Sequence, residues 1–390
     1  MNKLEPFIII SEILNNEAPE NEAQVKLRSL TLRNFRSYAA ENFAFHERVN
    51  LIYGENAQGK TNLLEAVHFL LAFKPFRQVR HEELITIGAS EARIKGEIES
   101  PAGLDEVHIT LSGEKRAIKL NGKLVYNAAK AIGRYNVVAF LPSDIDLVKG
   151  SPQTRRRYLD ALIFSLEPAH LTELRQYHRL LIQRNSILSK GRGVTPESLE
   201  IWDEKLVETG SRVISRRIGY VKKMTPLLAR IYAATSGSRS EASLSYSTSF
   251  AAGGDVASAY AENLRASFAK DRARGHTTLG PHRDILAFSI DGRDASVYAS
   301  QGESKNFALA LRTSEIDLIA ETLGKTPVLL LDDVTSELDE RRRKFLFGML
   351  GGFQGQIFIT TTNPEEVLLK GEMKTFRIRK GRAETALVKK

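Results

Sequence analysis

The 390-residue chain has no cysteine, one tryptophan, four methionines and twelve prolines. Without cysteine there is no disulfide framework, no thiolate metal site and no cysteine nucleophile, a composition that suits the reducing cytoplasm. Long apolar runs are missing too. No stretch approaches the roughly 18 residues of a membrane-spanning helix, so no membrane-embedded role is expected. Phe7-Ile8-Ile9-Ile10 lacks the basic leader and longer apolar core of a signal peptide. There is no internal repeat. Apolar residues at 42% and charged residues at 26% fit a folded protein, and at about 150 residues per domain the length allows two or three lobes. Lysine and arginine outnumber acids by 56 to 47, a net charge of +9 that favours polyanionic partners. Residues 1–23 run against this trend, with Lys3 facing Glu5, Glu12, Glu17, Glu20 and Glu22. They read as an acidic, disordered extension ahead of the fold, either lineage-specific or the product of an upstream start codon.

From Val25 to Leu32 the chain alternates with period two, as a half-buried strand does. Val49–Tyr53 is a short apolar strand that runs through a glycine-bounded loop into a helical stripe of Leu63, Leu64, Val67, Leu70 and Leu71. Strand-like pieces over residues 92–126 are separated by Pro101-Ala102-Gly103, Ser112-Gly113 and Asn121-Gly122, the last a strong hairpin signal. Beyond Val137–Leu141 the pattern turns helical: Leu159, Leu162, Ile163 and Leu166, then Leu171, Leu174, His178, Leu181 and Ile182 after Pro168. A further helix begins near Pro196. Residues 233–256, rich in Ser, Ala and Gly, read as a connection, in which Leu244, Tyr246, Thr248 and Phe250 also alternate like an exposed strand. Strand-like runs return at Ile285–Ile290, Val328–Leu331 and Gln356–Thr360. The expected organisation is an α/β lobe I over 24–144 and 275–390, interrupted by a mainly helical lobe II over 145–274.

Gly54-Glu55-Asn56-Ala57-Gln58-Gly59-Lys60-Thr61 matches G-x-x-x-x-G-K-[ST] in full, between a strand and a helix as the mechanism requires. Glycines let backbone N–H groups converge on phosphate oxygens, and the following helix N-terminus, including Asn62, adds favourable partial charge. Lys60 is expected on the β- and γ-phosphates and Thr61 on Mg²⁺, which predicts nucleoside triphosphate binding. Val328-Leu329-Leu330-Leu331-Asp332-Asp333 is an apolar strand ending in two acids. Asp332 is expected to hold the Mg²⁺ shell and Asp333 to orient the attacking water.

Ser300-Gln301-Gly302-Glu303 opens a helix 32 residues before Asp332. It reads as a Ser-x-x-Glu capping box. It also resembles the S-x-G-[QE] signature of ABC-type ATPases, whose serine and glycine bind the γ-phosphate of a nucleotide held by a second subunit; both readings can hold together. Ser336-Glu337-Leu338-Asp339 looks like the D-loop of that class. The order of these parts, with Leu32-Arg33-Asn34-Phe35-Arg36-Ser37-Tyr38 before the P-loop, resembles the RecF family in the SMC-like branch of ABC-type ATPases. Arg77–His81, the run Pro142–Pro152 followed by Arg155-Arg156-Arg157-Tyr158-Leu159-Asp160, and Gly280-Pro281-His282-Arg283-Asp284 extend the resemblance over about residues 25–382. Pro142-Ser143-Asp144 stands where transporter ATPases carry a Q-loop glutamine, and Thr361-Thr362-Asn363 where many carry a switch histidine.

The resemblance implies a P-loop ABC-type ATPase head that takes ATP and Mg²⁺ and forms an ATP-dependent homodimer. It implies binding to double- and single-stranded DNA at gaps, and work with RecO and RecR to load RecA in recombinational repair, replication and the SOS response. Slow, DNA-stimulated hydrolysis then acts as a switch. Lys60 and Asp333 are the catalytic candidates, and Ser300 with Gly302 serves the partner's nucleotide. Arg36 either approaches the γ-phosphate or is an ordinary solvated arginine.

The cations of lobe II are the candidates for DNA: Lys149, Arg155, Arg156, Arg157, Arg216 and Arg217 first, within a wider set including Arg175, Arg179, Arg184, Lys190, Arg192, Arg212, Lys222, Lys223 and Arg230. The bland alternative is that each solvates a helix face or pairs with an acid. No zinc-finger or RNA-recognition signature is present, so backbone and junction geometry would be read rather than sequence. A transporter subunit would need a membrane-coupling surface. An SMC protein would need long heptad arms, whereas these helices meet Pro168, Gly191, Gly193 and Pro226 within tens of residues.

Overall fold

A computed structural model describes residues 24–389 except 77–78, 127–132, 192, 238–239 and 252–253, and leaves aside the side chains of Glu337 and 385–389. The expected acidic leader, Arg77 and Arg192 therefore lie outside the described residues. The chain divides into two compact units: one from the chain up to Asp144, Ala234–Gly237 and Ala308 onward, the other from Ile145–Ala233 and Ser238–Phe307.

The first unit holds two six-stranded sheets with the helix Lys60–Ala72 packed against both. One sheet is ordered Arg382–Lys389, Met373–Arg379, Val49–Tyr53, Ile357–Thr361, Val328–Asp332, Val137–Phe140. All its pairings are parallel except the terminal hairpin. Val328–Asp332 and Ile357–Thr361 are buried at every position, as expected of strands covered on both faces. The other sheet is an antiparallel set joining Tyr38–Ala44, Lys26–Phe35, Glu91–Ser100, Gly103–Ser112, Lys115–Leu120 and Lys123–Leu124. The Asn121-Gly122 turn is formed, with both residues at positive φ, 50° and 78°, as a type I′ hairpin requires.

Because it lies between two sheets, the helix Lys60–Ala72 is buried on every face from Leu63 to Ala72. Each large side chain there contributes on the order of 1.5–3 kcal/mol. The fit leaves no room for a methyl on the facing strand: a Cβ at Gly96 would stand 2.2 Å from Leu70 Cδ2. Gln356, fully buried, ties the two sheets together by accepting from Leu27 N at 2.8 Å and donating to Leu27 O at 3.0 Å and His46 O at 2.8 Å.

The second unit is mainly helical, with Pro152–Leu166, Ala169–Leu188, Glu200–Ser236, Val256–Ala266 and Phe268–Arg274. The expected run of short helices is corrected at Pro226, which sits inside the 37-residue helix Glu200–Ser236. Proline costs one backbone bond there; next to it Thr225 donates to Val221 O at 2.8 Å. Residues 242–247 do form a strand, with Ala242 and Leu244 buried, and it pairs antiparallel with Ile285–Ile290. That pairing explains why the second unit runs on to Phe307 where the sequence suggested a return to lobe I at 275. Ile285–Ile290 belongs to a separate three-stranded sheet and not to the parallel one.

Candidate nucleotide site

The strand Val49–Tyr53 delivers the chain into the loop Gly54–Gly59, and the helix begins at Lys60. Three loop residues adopt positive φ: Gly54 at 153°, Ala57 at 60° and Gly59 at 113°. Two of these positions admit only glycine for steric reasons as well. A Cβ at Gly54 would lie 2.4 Å from Ile378 O, and one at Gly59 2.7 Å from Ser37 Oγ. Tyr38 donates its hydroxyl to Gly59 O at 2.9 Å, and its pKa is pushed far up by burial and then by Glu41. Gln58 ties the loop to the C-terminal hairpin, accepting from Lys380 N at its side chain and from Gly381 N at its carbonyl. Glu55, Asn56 and Ala57 are exposed along the rim.

Lys60 curls back so that Nζ donates to Gly54 O at 2.7 Å and Glu55 O at 2.8 Å. Burial lowers its pKa, opposed by the nearby charges of Asp333 and Asp332. Thr61 Oγ1 donates to Asp332 Oδ1 at 2.9 Å and Oδ2 at 3.1 Å, so the two predicted Mg²⁺ residues meet. Asn62 Nδ2 donates to Ser37 Oγ at 3.0 Å.

Asp332 and Asp333 end the central strand beside Thr360, a residue that sequence reasoning did not single out. Thr360 Oγ1 donates to Asp332 Oδ1 at 2.8 Å and accepts from Asp333 N at 2.9 Å. Asp333 sits at φ 47°, a left-handed conformation that Asp tolerates better than most residues. Ser336 Oγ bonds to Asp333 O at 2.9 Å and Oδ2 at 3.0 Å, fixing the carboxylate's orientation. Its other oxygen, Oδ1, is buried and makes no hydrogen bond. The D-loop-like segment ends at Asp339, whose side chain caps the helix Glu340–Gly352 through Arg342 N at 2.9 Å.

Arg36 is not the ordinary solvated arginine that one reading of the sequence expected. Its guanidinium straddles Glu65, Nε to Oε2 at 2.9 Å and NH2 to Oε1 at 3.3 Å, and NH1 donates to Glu83 O. Glu65 is 5% exposed on the P-loop helix. A lone acid amid a buried helical stripe was the sequence signal for this pair.

In the second unit, Ser300 and Glu303 form the capping box: Ser300 N donates to Glu303 Oε2 at 2.8 Å and Glu303 N to Ser300 Oγ at 3.2 Å. Ser300 is exposed and Gly302 half-buried, on the first turn of the helix Gln301–Leu323. Lys149 Nζ donates to Ala295 O at 3.2 Å, Ser296 O at 3.4 Å and Ala299 O, and so anchors the approach to Ser300.

Among the expected DNA contacts, Arg217 and Arg155 need correction, because both are buried. Arg217 is 2% exposed and clasps Asp160 through two bonds of 2.8 Å, with Pro281 O at 2.6 Å and Tyr246 Oη at 3.1 Å completing its shell. Arg155, 4% exposed, stacks on Phe288 and donates to Val148 O at 3.0 Å. Arg216 pairs with Glu167 at 2.7 Å and with Glu173. Arg156 donates to Asp284 O at 2.7 Å, and Arg157 is exposed. Acids, backbone carbonyls and an aromatic ring hold several of these cations, and charge counting along the chain could not show it.

With this geometry in place, relatedness is decisive. The family model for the RecF/RecN/SMC N terminal domain matches residues 26–385. The DNA replication and repair protein RecF of Geobacter sp. (strain M21) is 37% identical over 366 residues, which cover 92% of this chain and 99% of that protein. The chain belongs to the RecF family. The RecF of Anaeromyxobacter dehalogenans (strain 2CP-C) is 40% identical over 351 residues, covering 87% and 93% respectively. Among solved structures, the recombination mediator protein RecF-ATPrS in the RecFOR pathway superposes with a TM-score of 0.85 at 33% identity, over 94% of this chain and all of that one. The Smc head domain from Pyrococcus furiosus, at 15% identity and a TM-score of 0.57, shares the fold alone over 93% of this chain and 96% of that one. The RecF-family head thus has the ABC-type ATPase fold expected from its motifs. Among the described residues no helix is long and apolar enough to cross a membrane.

Proposed function

We propose that this RecF-family chain binds ATP with Mg²⁺ at the loop Gly54–Thr61 and uses it to control DNA binding in gap repair. The supporting observation is the convergence of Thr61, Asp332 and Thr360 beside Lys60. Thr61 Oγ1 and the Asp332 carboxylate are hard oxygen donors, and one carboxylate plus substrate phosphates is the usual way Mg²⁺ is held. The bondless, buried Oδ1 of Asp333 is a further polar atom close enough for its charge to act on Lys60. Thr61 and Asp332 would hold the ion, which supplies charge neutralisation at the phosphates. The P-loop backbone and the helix N-terminus receive phosphate oxygens, and Lys60 exchanges two loop carbonyls for them. Asp333, oriented by Ser336 and Thr360, accepts a hydrogen bond from the attacking water.

Relatives described as RecF with ATP in the RecFOR pathway support ATP as the nucleotide and RecO and RecR as partners. Ser300 and Gly302 are proposed to meet the nucleotide of a second copy, making an ATP-dependent homodimer whose hydrolysis releases double- and single-stranded DNA at gaps and paces RecA loading. A cytoplasmic location goes with that role. The test is light scattering of the protein with ATP, with ADP and without nucleotide: dimers with ATP only are expected, and monomers in all three would contradict the proposal.

A further inference from the structure

Five acids of the second unit are committed to internal pairs. Asp160 serves Arg217 and His170, Glu173 serves Arg212 and Arg216, Glu167 serves Arg216, and Asp203 and Asp271 serve Arg184. One side of a single helix carries arginines, a histidine and an isoleucine, and no acid, among its exposed residues. On the helix Ala169–Leu188, Arg175, His178, Arg179 and Ile182 share a side at spacings of three and four, all exposed, whereas Glu173 falls on the opposite side.

The turn Gly280–Asp284 brings a further cation to this face. His282 Nδ1 bonds to Tyr177 Oη at 2.6 Å, fastening the turn to the same helix. Arg156 reaches Asp284 O at 2.7 Å from the neighbouring helix Pro152–Leu166. Arg283, between these two anchors, is exposed. The local field agrees with the geometry: burial lowers His282 to about 4 against the pull of the Thr277 carbonyl, and Arg283, His178 and Arg156 push it the same way as burial. The acid of the turn, Asp284, is itself buried and occupied by Tyr246 Oη at 2.6 Å and Ser249 N at 2.8 Å.

We infer that Arg156, Arg175, His178, Arg179 and Arg283 form a built cationic surface that takes the phosphate backbone of duplex DNA. The turn's hydrogen bonds fix the Arg156 guanidinium and the backbone of Arg283, while the other three stand on one helix. Two elements and a turn thereby present cations while the neighbouring Asp160 and Asp284 are buried and occupied, as backbone contact without base reading requires. The surface replaces the buried Arg155 and Arg217 as the DNA contact, and the inference rests on the DNA-binding role proposed above.

The test is fluorescence anisotropy of a labelled gapped duplex with ATP, across a salt series. The proteins compared are the parent, Arg175→Ala with Arg179→Ala, Arg283→Ala, and the control pair Lys190→Ala with Lys270→Ala. The first pair is expected to reduce the salt slope of log K by about 2 and to weaken binding on the order of 50-fold at 0.1 M salt. Arg283→Ala is expected to reduce the slope by about 1, and the control pair to leave it unchanged. Parental slopes in both patch variants, with intact thermal unfolding, would overturn the inference while leaving the DNA-binding role standing. Loss of the same size in the control pair would also overturn it, because charge anywhere on the unit would then suffice. If the parent binds no DNA in any nucleotide state, the functional reading itself falls, and this surface with it.

Discussion

Thr61 Oγ1 lies 2.9 Å from Asp332 Oδ1, joining the first turn of the P-loop helix to the end of the central strand across 271 positions of sequence. Two oxygen donors that could each have turned to solvent are instead placed where one cation would touch both. Asp332→Asn keeps the shape and removes the charge. It is expected to reduce Mg²⁺-dependent ATP hydrolysis about a thousandfold, the equivalent of several kcal/mol of charge stabilisation. Calorimetric ATP titrations with Mg²⁺ and with EDTA should become indistinguishable; a persisting Mg²⁺ effect would place the ion elsewhere.

Asp333 has a separate expected effect, because its carboxylate is held by Ser336 and makes no hydrogen bond to Thr61. Asp333→Asn should retain ATP-dependent dimers while losing about 10²- to 10⁴-fold in turnover. Size-exclusion chromatography after a timed incubation with ATP reads the difference, as the variant's dimers should outlast the parent's. Dimers that form and decay at the parental rate would show that another group positions the water.

The motifs of the nucleotide site were legible in the sequence because their chemistry is local: glycines at fixed spacing, a lysine, and acids at the end of an apolar run. The strand, loop and helix around them followed from the hydrophobic period. The fate of the arginines was not legible. Arg217 and Asp160 are 57 positions apart, and nothing in either neighbourhood shows that one buries the other. Arg36 and Glu65 likewise meet only when two sheets enclose one helix. The boundary of lobe II was missed for a related reason. An apolar strand such as Ile285–Ile290 carries no mark of the sheet it will join, and only its pairing with residues 242–247 assigns it.

The two arginine pairs give predictions of stability. Arg217→Ala leaves Asp160 buried without its partner and should cost about 3–5 kcal/mol, read as a fall in urea midpoint with an unchanged salt slope for DNA. Arg36→Ala should also destabilise the protein, by about 3 kcal/mol, since Glu65 would be left uncompensated beside the P-loop. If Arg36→Ala instead leaves the midpoint alone and weakens only ATP binding, Arg36 serves the γ-phosphate after all.

His282 sets a pH dependence with a definite sign. Burial holds it at about 4 in the fold, against about 6.5 in the unfolded chain. Between those values the unfolded chain takes up a proton that the folded one refuses. This contribution is thus absent above about 6.5 and destabilises progressively toward about pH 4. His282→Gln should flatten part of the fall in melting temperature between pH 7 and 5. A parental pH profile in that variant would assign the acid sensitivity to other groups.

The central claim is that two copies complete each other's nucleotide sites and that DNA governs the result. Steady-state ATP hydrolysis across a protein concentration series, with and without gapped duplex, tests it most directly. The rate per molecule is expected to rise with protein concentration and to rise further with DNA. A rate per molecule that stays flat, indifferent to DNA, would contradict the account.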